Sequence, residues 1–156
     1  MRKTILFLAI LSLAVSAFGL KPIIKTDPNS KIILVAVMKD ADTTFKNALV
    51  DSLVSHYGAK YQVKKIVIDK AAELNSQKYR LLIVMDQLKA WLAMNGQTKA
   101  IMSAAGKADV VYFMTSGDKK WQWKQKDVYH IASASDKSFF PKAWHELNFK
   151  IDKILK

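Results

Sequence analysis

Apolar residues fall along this chain in short unbroken runs separated by polar turns and by stretches of helical period. The clearest run is Ile32–Met38, seven apolar residues that stop at Lys39-Asp40-Ala41-Asp42. It is too short for a helix buried on all sides, and Ile33, Val35 and Val37 favour extended backbone. A strand without alternation is buried on both faces, which implies a parallel sheet covered by helices. Phe45, Leu49, Leu53 and His56, with Ala48 beside them, then recur at three- and four-residue spacing towards Gly58. That spacing predicts a helix with a core-facing stripe, capped at its start by Asp40 or Asp42.

The pattern repeats along the chain. Tyr61–Ile68 alternates at its start, with Gln62 and Lys64 outward and Val63 inward, as suits an edge strand. Ala71–Gln77 reads as a short helical piece and Tyr79–Met85 as a third strand. A helix over Thr98–Ala105 precedes a fourth strand, Asp109–Met114, and a fifth follows at Asp127–Ala132. Pro141 suits the first turn of a closing helix, whose face is Trp144, Leu147, Ile151, Ile154 and Leu155. Five strands alternating with helices, joined by right-handed crossovers, give a three-layer, doubly wound five-stranded parallel sheet of order 2-1-3-4-5. In such a sheet the functional site lies beyond the carboxyl ends of the strands, which places it first at residues 39–44.

Residues 1–19 stand apart from this pattern. Arg2 and Lys3 precede an apolar core, Ile5 to Val15, followed by Val15-Ser16-Ala17 or Ala17-Phe18-Gly19, either of which fits a signal-peptide cleavage site. The expectation is an exported protein, periplasmic or secreted, with one domain over residues 20–156. The chain has 25 Lys and Arg against 13 Asp and Glu and a formal net charge of +12, so anionic surfaces attract it. It has no cysteine, which excludes disulfides, thiolate catalysis and Cys-ligated metals.

Four pieces of sequence resemble the flavodoxin family and its flavodoxin-like relatives: KIILVAVM at the first strand, KYRLLIVMDQLKAW at the third, VVYFMTSGD at the fourth and VYHIASASD before the last helix. The resemblance implies a site for FMN, whose phosphate the family holds in an S/T-x-T-G-x-T loop after the first strand. The matching positions here are Lys39, Asp40, Ala41, Asp42, Thr43 and Thr44. Lys39, Asp42, Thr43 and Thr44 are its phosphate-side candidates. Asp86 and Trp91 after the third strand, and Thr115, Ser116, Gly117 and Trp121 after the fourth, are its ring-side candidates. The loop lacks the family's glycine, and Asp40 and Asp42 would face a dianion. Like charges about 4 Å apart cost on the order of several kcal/mol at intermediate dielectric. The expectation is therefore a non-catalytic binding or accessory protein of the bacterial envelope, without cofactor. The alternative is an FMN-binding electron-transfer protein; any enzymatic activity would be that of a flavin-dependent oxidoreductase.

Other chemistry finds little support. Asp40, Asp86 and Thr115 occupy strand ends as in a phosphotransfer receiver domain, but the acidic pair is split and no Lys-Pro follows the fifth strand. Ser116 lacks a G-x-S-x-G elbow, and no His, Asp and Glu set has metal-ligand spacing. His56 and His130 lie on apolar faces, as core histidines do. The stretch Lys119-Lys120-Trp121-Gln122-Trp123-Lys124-Gln125-Lys126 is a second binding candidate. In extended form both Trp side chains share a face ringed by Lys119, Lys120, Lys124 and Lys126, which suits an anionic, partly apolar partner such as a membrane interface or envelope glycan. Export argues against nucleic acid.

Overall fold

The computed structural model describes residues 21–89, 94–106, 108–118, 120–123 and 130–156. The N-terminal pattern of residues 1–19, Trp91, Lys119, Lys124, Lys126 and the first residues of the expected fifth strand lie outside the described residues. The elements are β1 (Ile32–Met38), α1 (Thr44–Tyr57), β2 (Gln62–Ile68), β3 (Leu81–Gln87), α2 (Gly96–Ala105), β4 (Val110–Ser116), β5 (His130–Ala134) and α3 (Phe140–Leu155). The five strands form one parallel sheet in the expected order, β2-β1-β3-β4-β5. In the middle of β1, Val35 stands opposite Lys65 of β2 and Ile83 of β3.

β1 faces two cores. Ile33, Val35 and Val37 point to one side, where Phe45, Leu49 and Leu53 of α1 and Leu147 and Ile151 of α3 cover them. Leu34, Ala36 and Met38 point to the other, against Ile24, Leu74 and Ile101. This double burial is why β1 shows no polar alternation, and why β2, at the edge, does. On the first side α1 and α3 are clamped together. The Tyr57 hydroxyl donates to Asp152 Oδ1 at 2.8 Å and lies 2.5 Å from Asn148 Oδ1. At the same end of α3, Arg80 pairs with Asp109 and donates to the Ile154 carbonyl at 2.8 Å, anchoring its last turn.

The second side has thinner helical cover. Between β2 and β3 there is a single 3-10 turn, Ala71–Leu74, rather than a helix. Gln97 of α2 accepts from the Ala71 N–H at 2.9 Å, joining turn and helix. The segment leading into β1 supplies the rest: Ile24 is buried, the Ile23 N–H donates to Asn75 Oδ1 at 2.6 Å, and the Asp27 N–H donates to the Tyr79 carbonyl at 2.8 Å. The Asp109 N–H donates to Thr26 Oγ1 at 3.3 Å, so the segment spans several strands.

Several boundaries differ from the sequence expectation. β3 starts and ends two residues later than expected, and β4 continues through Thr115 and Ser116. Asp86 and Thr115 stay in the ladder with their side chains hydrogen-bonded in the interior. His56 is exposed, its ring meeting Trp144 edge-on at 5.7 Å, and Tyr57 takes the buried position instead.

Candidate functional site

The loop leaving β1 begins as a 3-10 turn, Lys39–Ala41, whose Ala41 is buried. Neither aspartate caps α1. Thr43 does, its hydroxyl accepting from the Lys46 N–H at 3.4 Å. Asp40 and Asp42 turn outward to lysines, one just past β3 and one in β2. Asp40 pairs with Lys89 at 2.5 Å, and its carbonyl accepts from the Gln87 side chain. The Lys89 hydrogen bond and charge hold the Asp40 carboxyl below the usual carboxylate range. Asp42 pairs with Lys65 at 2.7 Å, and the same ammonium donates to Asn47 Oδ1 at 2.6 Å. The β1 loop is thus tied to β2 on one side and to the end of β3 on the other.

Beneath the loop lies a buried polar cluster. Lys46, in the first turn of α1, is fully buried, and its ammonium donates to Thr115 Oγ1 at 2.8 Å. Helical side chains lean towards the helix N-terminus, which carries Lys46 over the carboxyl end of β4. The Thr115 hydroxyl is 3.5 Å from the Asp86 carbonyl that accepts from it. Asp86 is 1% exposed; its Oδ2 accepts from the Thr98 hydroxyl at 2.7 Å and its Oδ1 from the Gln87 N–H at 2.7 Å. Burial pushes the Lys46 ammonium down to about 8, against the opposing pull of the Asp86 and Asp42 charges. Sequence reasoning missed Lys46 and Thr98. The signal for Lys46 was its spacing, since it lies one and two turns before Val50 and Leu53, both buried.

The fold brings the phosphate-side candidates Lys39, Asp42, Thr43 and Thr44 together at the β1 turn, with Asp86 and Thr115 directly below. Their polar groups are largely engaged. Thr43 serves the helix cap, Thr115 serves Lys46, Asp86 serves Thr98, and Ser116 Oγ accepts from the Asp118 N–H at 3.0 Å. Gly117 is exposed at the end of β4.

A different arrangement lies beside β5. Asp118 organises the turn after β4: its Oδ1 accepts from the Lys120 N–H at 2.8 Å and its carbonyl from the Trp121 N–H at 3.2 Å. Trp121 and Trp123 meet edge to face at 5.7 Å. Trp123 stacks on His130 of β5 at 5.0 Å and lies tilted towards Tyr112 of β4 at 6.4 Å. The two tryptophans therefore flank the outer strand of the sheet, and Lys120 beside them is exposed. A cleft of about 290 Å³ opens there, lined on the tryptophan side by Asp118, Trp121 and Gln122, on β5 by Ser133, and on α3 by Lys142 and Glu146. Among the described residues no group of three or more His, Asp or Glu side chains is placed to hold a metal ion.

No protein-family model matches the chain, and no curated protein matches it. Among solved structures it is similar to that of oxidised flavodoxin 2 from Bacillus cereus, with 13% sequence identity and a TM-score of 0.50. The similarity covers 80% of this chain and 99% of the flavodoxin. At that identity the likeness speaks for the fold, and the strand order agrees with it: the fold is flavodoxin-like.

Proposed function

We propose that this flavodoxin-like domain has lost the phosphate site of its fold and serves as a non-catalytic binding or accessory protein of the bacterial envelope. The observation that carries this reading is the state of the β1 turn. A phosphate held there needs unspent N–H and hydroxyl donors and a backbone free to approach it. Here a 3-10 turn without glycine occupies the approach, and the Thr43 hydroxyl serves the helix cap. The carboxylates of Asp40 and Asp42 flank the position, each already matched by one lysine. An arriving dianion would have to break those pairs or accept two negative neighbours. The residues of the β1 turn do not fit the phosphate of FMN.

Export rests on the pattern of residues 1–19, and the envelope is the place proposed for the exported protein. The alternative, an FMN-dependent electron carrier, would need a different β1 turn from the one this chain has. Titrating the purified protein with FMN separates the two readings. Unchanged flavin fluorescence and absorbance with FMN at tens of micromolar is the expected result. Saturable quenching with a red-shifted flavin band would overturn the proposal. Comparing the mass of the chain recovered from the periplasm with that of the full sequence tests export directly.

A further inference from the structure

We infer that the cleft between the Asp118–Trp123 turn, β5 and the first half of α3 is a saccharide-binding site, taking one or two rings of a neutral, hydroxyl-rich sugar. The inference names a ligand class for the binding role proposed above and rests on that role. Its volume of about 290 Å³ sits at the small end of ligand sites, which run from ~300 to 1,000 Å³.

The lining selects the chemistry. Trp121 stands across Trp123, and Trp123 lies over the neighbouring rings of His130 and Tyr112. The aromatic wall is therefore fixed in place, and Trp121, half-buried, forms its outer part. A pyranose presents a flat array of C–H groups to such a wall and a rim of hydroxyls away from it. Every hydroxyl both donates and accepts, so a suitable rim needs both kinds of partner. Asp118 and Glu146 accept, Lys142 donates, and Gln122 and Ser133 do both.

The same lining disfavours other ligands. An anionic group would meet the carboxylates of Asp118 and Glu146; of the lysines, Lys142 lines the cleft among the described residues, and it is itself 3.9 Å from Glu146. A purely apolar ligand would desolvate those carboxylates without replacing their hydrogen bonds, which opposes binding. A neutral polyol satisfies both the wall and the rim. The turn that carries Trp121 is held by Asp118 through two backbone N–H bonds, which lowers the ordering cost of binding.

The test is isothermal titration of the full chain with chitotriose, cellotriose and maltotriose, at low and high salt. Binding of at least one of them, little changed by salt, is expected. Trp121→Ala should weaken it by about tenfold or more, as loss of an aromatic anchor does. Glu146→Gln keeps the shape of the rim and should weaken binding by a smaller factor. Circular dichroism melts of both variants should match the parent, which separates loss of a contact from loss of fold. Failure of all three sugars to bind overturns the inference, as does binding that ignores Trp121→Ala. Binding confined to heparin oligosaccharide or phosphatidylglycerol vesicles, and lost in salt, also overturns it and points to an anionic surface. FMN binding with sugar binding intact would sink only the preceding proposal.

Discussion

The ammonium of Lys46 and the hydroxyl of Thr115, 69 residues apart in sequence, meet at 2.8 Å in the floor beneath the β1 turn. This contact puts a cation where no water reaches. The charges of Asp86 and Asp42 offset part of its burial. A fully buried lysine is costly to keep charged, and the cost gives the protein a pH dependence of its own.

Lys46 titrates near 8 when folded and near 10.5 when unfolded. Between those values the unfolded chain holds more protons, so stability rises with pH. Above pH 10 the order reverses. Burial raises the hydroxyls of Tyr57, Tyr79 and Tyr112 above their usual 10.0, so the folded chain then holds more protons and stability falls. Urea unfolding from pH 7 to 11 should give a maximum between pH 9 and 10, with a rise from pH 8 of about 1 kcal/mol. Lys46→Met should flatten that rise while leaving the fall above pH 10 in place. A flat profile in the parent would show that the ammonium is not buried as described.

Thr98 gives the buried Asp86 carboxylate its side-chain donor at 2.7 Å. Thr98→Val keeps the volume and removes the donor. Chemical denaturation should read a loss of about 1.5–3 kcal/mol, the range for hydrogen bonds to charged groups. A loss under half a kcal/mol would mean that Asp86 finds another partner.

Tyr57 joins α1 to α3 through Asp152 and Asn148. Tyr57→Phe leaves the ring in the core and removes only the hydroxyl. The expected loss is about 1–2 kcal/mol, read as a lower urea midpoint at unchanged m-value. A changed m-value would indicate that the helices separate rather than merely loosen.

Arg80 is bound to Asp109 on one side and to the last turn of α3 on the other. Lysine supplies the charge but not the planar fork that reaches both. Arg80→Lys should therefore cost about 1–2 kcal/mol, and hydrogen exchange should accelerate first at residues 150–155. Acceleration spread evenly over the sheet would count against this local role.

What the sequence made legible was burial by apolar side chains. β1 matches the expected Ile32–Met38, and α3 buries Leu147 and Ile151 on the face that periodicity indicates. What it hid was burial of polar ones. The expected third strand stops at Met85, before Asp86, and the fourth at Met114, before Thr115 and Ser116, because a polar residue ordinarily leaves the sheet. Here Thr98, Lys46 and Asp118 satisfy those side chains, so the strands run on through the site. Lys46 was invisible for the same reason, since lysines usually face solvent. The capping residue was misplaced because Asp40 and Asp42 are drawn outward by Lys89 and Lys65, cations remote in sequence. The tryptophan turn could be located, but not its stacking on His130, which depends on where β5 begins.

The segment before β1 has one more consequence, for synthesis. Its seats, Asn75, Tyr79 and Asp109, are made between fifty and eighty-odd residues after Ile23 and Thr26 themselves. During translation the stretch must therefore wait, unpartnered, until most of the sheet has emerged. The earliest-made piece of that face is among the last to dock.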